Sequence, residues 1–261
     1  MPQFELAEEW EAAIAEGVGD ADDGDARARG ALDEVRQLSV LALMLVARGD
    51  PTDDLLARLE EASSQLSDPF AVASLHGVRS DRAFVAGDFA TAYDEAMLAA
   101  EEPQVGAFYL DWAARAALAA GDVARARVAL ERLQADPATD APVETARVVT
   151  RAGVAALEGR RAEAISGYLD ALARCRARRA TFDIGRYALE LVRRVGPEEP
   201  AVRAAADEAR AIFVRVAARP YLAALDAAMG AQTRDGARAA TVTAGTSDTD
   251  AALVADARPM P

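Results

Sequence analysis

The sequence predicts an all-α protein, a right-handed α-solenoid of about five helix pairs closed by a short C-terminal capping helix. Three observations carry that prediction. Of 261 residues 66 are Ala, which has the highest helix propensity, while the aromatic residues that favour strands make up only 5%. Turns built on Gly recur at a near-constant interval. Prolines fall between the segments of helical period and not inside them.

The elements follow in order. Residues 1–27 read as an N-terminal helix and an acidic linker. Helix pairs are expected over 28–66, 69–101, 104–135, 142–178 and 181–217, a capping helix over 219–229, and a disordered tail poor in large apolar groups over 230–261. The turns inside the first four pairs are Arg48-Gly49-Asp50-Pro51, Ala86-Gly87-Asp88-Phe89, Ala120-Gly121-Asp122-Val123 and Glu158-Gly159-Arg160-Arg161, with glycines 38, 34 and 38 residues apart. Glycine accepts the left-handed conformation that ends a helix, and the Asp after three of them suits the cap of the next. Five positions after three of the glycines stands an Ala (Ala92, Ala126, Ala164). Seven positions before all four stands a small residue (Ala42, Ser80, Ala114, Ala152). Small residues at fixed places let helices approach closely. A pair of this length cannot bury its own apolar face and must stack on its neighbours.

The segments Ala86-Gly87-Asp88-Phe89-Ala90-Thr91-Ala92-Tyr93 and Ala120-Gly121-Asp122-Val123-Ala124-Arg125-Ala126 carry a small-Gly-Asp-aromatic/aliphatic-x-x-Ala turn. In this the chain resembles the tetratricopeptide repeat (TPR) family, in a degenerate form without that family's usual first-helix aromatics. Val195-Gly196-Pro197-Glu198-Glu199-Pro200, Ala204 to Phe213 and Ala218-Arg219-Pro220-Tyr221-Leu222 are similar to the closing segment of large bacterial, actinobacterial-type signalling proteins. Those carry a nucleotide cyclase or regulator domain, an ATPase module and a helical-repeat tail, and the resemblance reaches only the tail, over residues 70 to 230.

Missing residue types exclude whole chemistries. All 29 basic residues are Arg, so neither a phosphate loop with its Lys nor Schiff-base catalysis can be built. With one His and one Cys, His76 and Cys175, no zinc site is expected; His76 reads as a packed helix residue and Cys175 as an inert one. Arg174 and Arg176 beside Cys175 are positioned to lower its thiol pKa. The acidic run Glu16 to Asp25 lacks calcium-loop spacing. No catalytic residue, metal or cofactor is therefore assigned. A net charge of −14 opposes nucleic-acid binding, although it is uneven: residues 1–68 hold 17 acids against 5 Arg, and Arg160 to Arg194 hold nine Arg against four acids. Neither an export signal nor a membrane span is expected, which points to the cytoplasm.

The functional expectation is a non-catalytic scaffold for protein–protein interaction or signal sensing, with a protein or peptide partner. Two alternatives stay open, an α-helical enzyme using paired carboxylates and a DNA-associated regulator segment. In the stacked array the concave side falls to Arg36, Ser39, Leu43, Ser74, Asp81, Phe84, Phe108, Asp111 and Arg115, with Phe84 and Phe108 as aromatic anchors or core residues. The Lys and Asn clamp with which some members of the resembled family hold a carboxylate is impossible here. Arg115 would have to replace it.

Overall fold

A computed structural model of the chain describes residues 24–66 and 68–230, and every regular element among them is a helix. They are α1 (Gly24–Arg48), α2 (Asp53–Gln65), α3 (Pro69–Ala86), α4 (Phe89–Ala99), α5 (Gly106–Ala120), α6 (Val123–Ala135), α7 (Ala141–Leu157), α8 (Arg161–Ala177), α9 (Thr181–Val195), α10 (Pro200–Arg215) and α11 (219–230). Helix α1 begins at Gly24, ahead of the expected 28, because Ala26 to Arg29 contains no breaker. The expected N-terminal helix, acidic run and tail lie otherwise outside the described residues.

The repeated turns close as their glycines suggest. Gly49, Gly87, Gly121 and Gly159 have φ of 73°, 83°, 74° and 79°. At each, the amide after the glycine returns to a carbonyl five residues back, as Asp88 N to Ala83 O at 2.9 Å, satisfying a helix-end carbonyl. The same bonds form at Arg179 (φ 55°) and Ala217 (φ 54°), so two further helix ends use this turn without glycine. Asp88 and Asp122 cap α4 and α6 through the amides of Thr91 and Arg125. Asp50 does not cap. Pro51 delays the next helix to Asp53, and Asp50 instead pairs with Arg48 and Arg219.

Small residues set the spacing. Ala42, Ser80, Ala114 and Ala152 are buried, as are Ala92, Ala126 and Ala164, and the Ser80 hydroxyl donates to the Ala92 carbonyl at 2.8 Å. Glycines inside helices act likewise. A Cβ at Gly153 would lie 2.4 Å from Leu118, and one at Gly77 would lie 2.4 Å from the Tyr109 ring. Each helix packs on the next in sequence, and the odd-numbered helices also touch one another: α1 with α3, α3 with α5, α5 with α7, α7 with α9. One apolar cluster runs from Met44 to Leu225, and a smaller one joins α1, α2 and α3.

Candidate functional site

Contacts between helices far apart in sequence build the most unusual region. Arg115 of α5 donates from Nη2 to Asp81 Oδ1 of α3 at 2.8 Å, with side chains 3% and 7% exposed. Its guanidinium lies over the Phe84 ring, 4.2 Å from the centroid, and 5.6 Å from the Trp112 centroid. From α9, Tyr187 donates to Asp111 Oδ2 at 3.2 Å and Arg186 stands 3.8 Å from the same oxygen while bonding Asp183. From α11, the Tyr221 hydroxyl donates to Asp81 Oδ1 at 3.4 Å. Arg194 of α9 donates to the Leu118 carbonyl of α5. Helices α3, α5, α9 and α11 thus meet over a sealed ionic cluster.

Burial dominates its electrostatics. It raises Asp111 above the usual carboxylate range, against the opposing pull of Arg186. It pushes Glu190 up to about 7, although Arg115 favours the charged form. The Tyr221 phenol is pushed up to about 12, first by burial and then by Asp81. Burial works against charge on Arg186, yet Asp183, Tyr187 and Asp111 together hold its pKa well above the ordinary value. Among the described residues Arg115 Nε and Nη1, Arg186 Nε and Glu190 Oε1 are buried without a hydrogen-bond partner.

Of the nine residues expected on the concave side, Asp81, Phe84, Asp111 and Arg115 come together, but inside. Phe84 is 8% exposed beneath Arg115 and is a core residue, not a free anchor. Phe108 is half-buried against Tyr109 and Trp112. Ser74 is buried beside Tyr109, whose phenol burial pushes up to about 12. Ser39 is buried and bonds its own helix at Val35, and Leu43 is half-buried against the core. Arg36 stays exposed, paired with Asp33 and 5.2 Å from the Phe70 centroid. Arg186, Tyr187, Glu190 and Tyr221 are not among the nine residues expected on that side. Their one local trace is the i, i+4 pair Arg186 and Glu190, which looks like any solvated helix face.

Other readings resolve in the same way. Burial pushes the Cys175 thiol up to about 11, outweighing nearby Arg178, which agrees with the inert helix Cys expected from the sequence and not with a thiol activated by Arg174 and Arg176. His76 Nδ1 lies 2.6 Å from Glu95 Oε2, tying α3 to α4. The basic stretch 160–194 is mostly spent internally: Arg160 pairs with Glu158 and Glu163, Arg161 with Glu198, Arg174 with Asp170, Arg176 with Glu208, and Arg178 and Arg186 with Asp183. Among the described residues no group of three or more His, Cys, Asp or Glu is placed to hold a metal ion, and no helix is long and apolar enough to cross a membrane. Comparison of the chain with known protein families, with curated proteins and with solved structures gives no match.

Proposed function

We propose that the chain is a non-catalytic helical-repeat scaffold that docks a protein or peptide in a cytoplasmic bacterial regulatory system. On this reading the helices form a right-handed α-solenoid of five degenerate TPR-like pairs, α1–α2 to α9–α10, capped by α11. The packing order supports it best: each pair touches its sequence neighbours, and the first helices of successive pairs line one side. The pairing of Arg160, Arg161, Arg174, Arg176 and Arg178 with acids of the same chain offsets, without burying, much of the positive charge that a DNA-associated segment would present.

One observation favours the enzymatic alternative. Asp111 and Glu190 are buried carboxylates with raised pKa values beside arginines, a pattern that accompanies acid–base sites. Their burial denies substrate an approach, since both are under 10% exposed. The discriminating experiment cross-links the full chain to its partner, reconstitutes the purified pair and measures Kd. A binary complex of micromolar affinity or better supports the scaffold. Its absence, or turnover by repurified chain that disappears in Glu190→Gln, overturns it.

A further inference from the structure

Helix α11 is not simply the last turn of the stack. Its first residues reach back to the beginning of the described chain: Arg219 pairs with Asp50 in the α1–α2 turn, and a Cβ at Gly49 would fall 2.9 Å from Pro220. Tyr221 enters the ionic cluster at Asp81 and stacks at 5.3 Å on Phe182 and 5.4 Å on Phe213. One short helix thereby bridges α1 and α3 to α9 and α10, across as many as 169 residues of sequence. It touches the α1–α2 turn, α3, α9 and α10 at once.

Its hold is one apolar face with exposed polar ties. Tyr221 and Leu225 are buried, and Leu222, Ala224, Ala228 and Met229 pack half-buried against the same core. The polar ties at Arg219–Asp50 and Arg210–Asp226 are at the surface, where water and salt weaken them. The link to α10 runs through Ala217, a non-glycine residue held in the left-handed region. Beside Asp81, the carboxylate that Tyr221 reaches, Arg115 keeps two N–H groups without a hydrogen-bond partner among the described residues. A closed state that leaves buried charged groups unsatisfied is favoured by less than its contacts suggest.

We propose that α11 is a displaceable latch on a helix-binding surface of this scaffold. Withdrawal of α11 uncovers the Asp81, Arg115 and Arg186 cluster together with the Asp50 turn. The occupant that fits is a partner helix whose first turn presents, as α11 does, a cation for Asp50 and, two residues on, a hydroxylated aromatic for Asp81. The inference rests on the scaffold reading, and it adds the location of the surface and its control by the chain itself.

The test uses the full chain and its Arg219→Glu variant, which sets a like charge against Asp50 at an exposed position. Hydrogen exchange is followed with the amides of α5 to α8 as the internal reference. Amides in 219–230 are expected to exchange at least tenfold faster than that reference, and about fivefold faster again in Arg219→Glu, with the reference unchanged. A fluorescent peptide of residues 217–230 should bind Arg219→Glu several times more tightly than the parent chain, and its Tyr221→Ala version should bind neither. If 219–230 exchanges only with the reference helices, or if the peptide binds no better to the variant, the latch is overturned. Failure to find any protein partner would instead strike the scaffold reading while leaving the exchange pattern intact.

Discussion

Two of the buried clusters among the described residues are made of opposite materials. Around α1, α2 and α3, Val35, Leu38, Leu56, Leu59, Leu75 and Val78 form a dry aliphatic group. Between α3, α5, α9 and α11 the interior holds Asp81, Asp111, Arg115, Arg186 and Glu190, all under 10% exposed. The aliphatic group draws on neighbouring helices and its stability follows buried area. The ionic group draws on residues 34, 76 and 140 apart, and its stability depends on every partner being present. Removing a member therefore has different consequences in the two places.

Arg115→Ala should have the largest effect. It strands the Asp81 carboxylate in the interior and empties the space over Phe84, and a loss of about 3–5 kcal/mol is expected in denaturant unfolding. The double variant Asp81→Asn with Arg115→Met should recover much of that loss, because no unpaired charge is left in the interior and the Asn carbonyl still accepts from Tyr221. If the double variant is as unstable as the single one, packing over Phe84 and not charge pairing dominates. Leu59→Ala probes the other cluster. A cavity there should destabilise by about 3 kcal/mol by the same measurement, equally at pH 5 and pH 8, since the members of the aliphatic group carry no ionisable side chain.

Glu190→Gln turns the comparison into a pH dependence. The folded carboxyl has a pKa of about 7 against 4.5 for the free side chain, so the folded state binds the proton more tightly. Its favourable contribution is complete below about 4.5 and is lost as pH rises through 7, a difference on the order of 2–3 kcal/mol. Asp111, also raised by burial, acts with the same sign. At pH 8 the amide replaces a buried charge and should raise the melting temperature by several degrees; at pH 5 it replaces a neutral acid and should change little. A stabilisation of equal size at both pH values would show that Glu190 does not change its charge between pH 5 and pH 8.

What the sequence made legible was local. Helix bounds followed from proline placement and from glycine turns, because a φ near 75° and a six-residue bonding pattern are decided within one turn. Small residues at fixed offsets from the glycines revealed which faces touch. The ionic cluster was half visible: Asp81, Phe84, Asp111 and Arg115 shared an expected face, being set by helix period. What closes over that face was not visible. Tyr187 meets Asp111 across 76 residues of chain and Tyr221 meets Asp81 across 140, contacts that no short window of sequence encodes. The same long-range packing places expected surface residues in the interior.

The smallest predicted effect concerns two left-handed turns that lack glycine. Arg179 and Ala217 occupy the left-handed position that Gly49, Gly87, Gly121 and Gly159 fill elsewhere, with the same return bonds, Ala180 N to Cys175 O at 3.0 Å and Ala218 N to Phe213 O at 2.8 Å. A side chain there carries a steric penalty of about 1–2 kcal/mol, while glycine costs about 0.5–1 kcal/mol of extra backbone freedom on folding. The steric term is the larger, so Arg179→Gly should stabilise by a net of under about 1 kcal/mol, seen as a slightly higher denaturation midpoint with unchanged slope. Ala217→Gly should differ in kind. It relaxes the same strain but also loosens the link between α10 and α11, so any gain in midpoint should come with faster amide exchange confined to 219–230. Faster exchange spreading equally into α9 and α10 would show that Ala217 anchors the whole C-terminal end and not α11 alone.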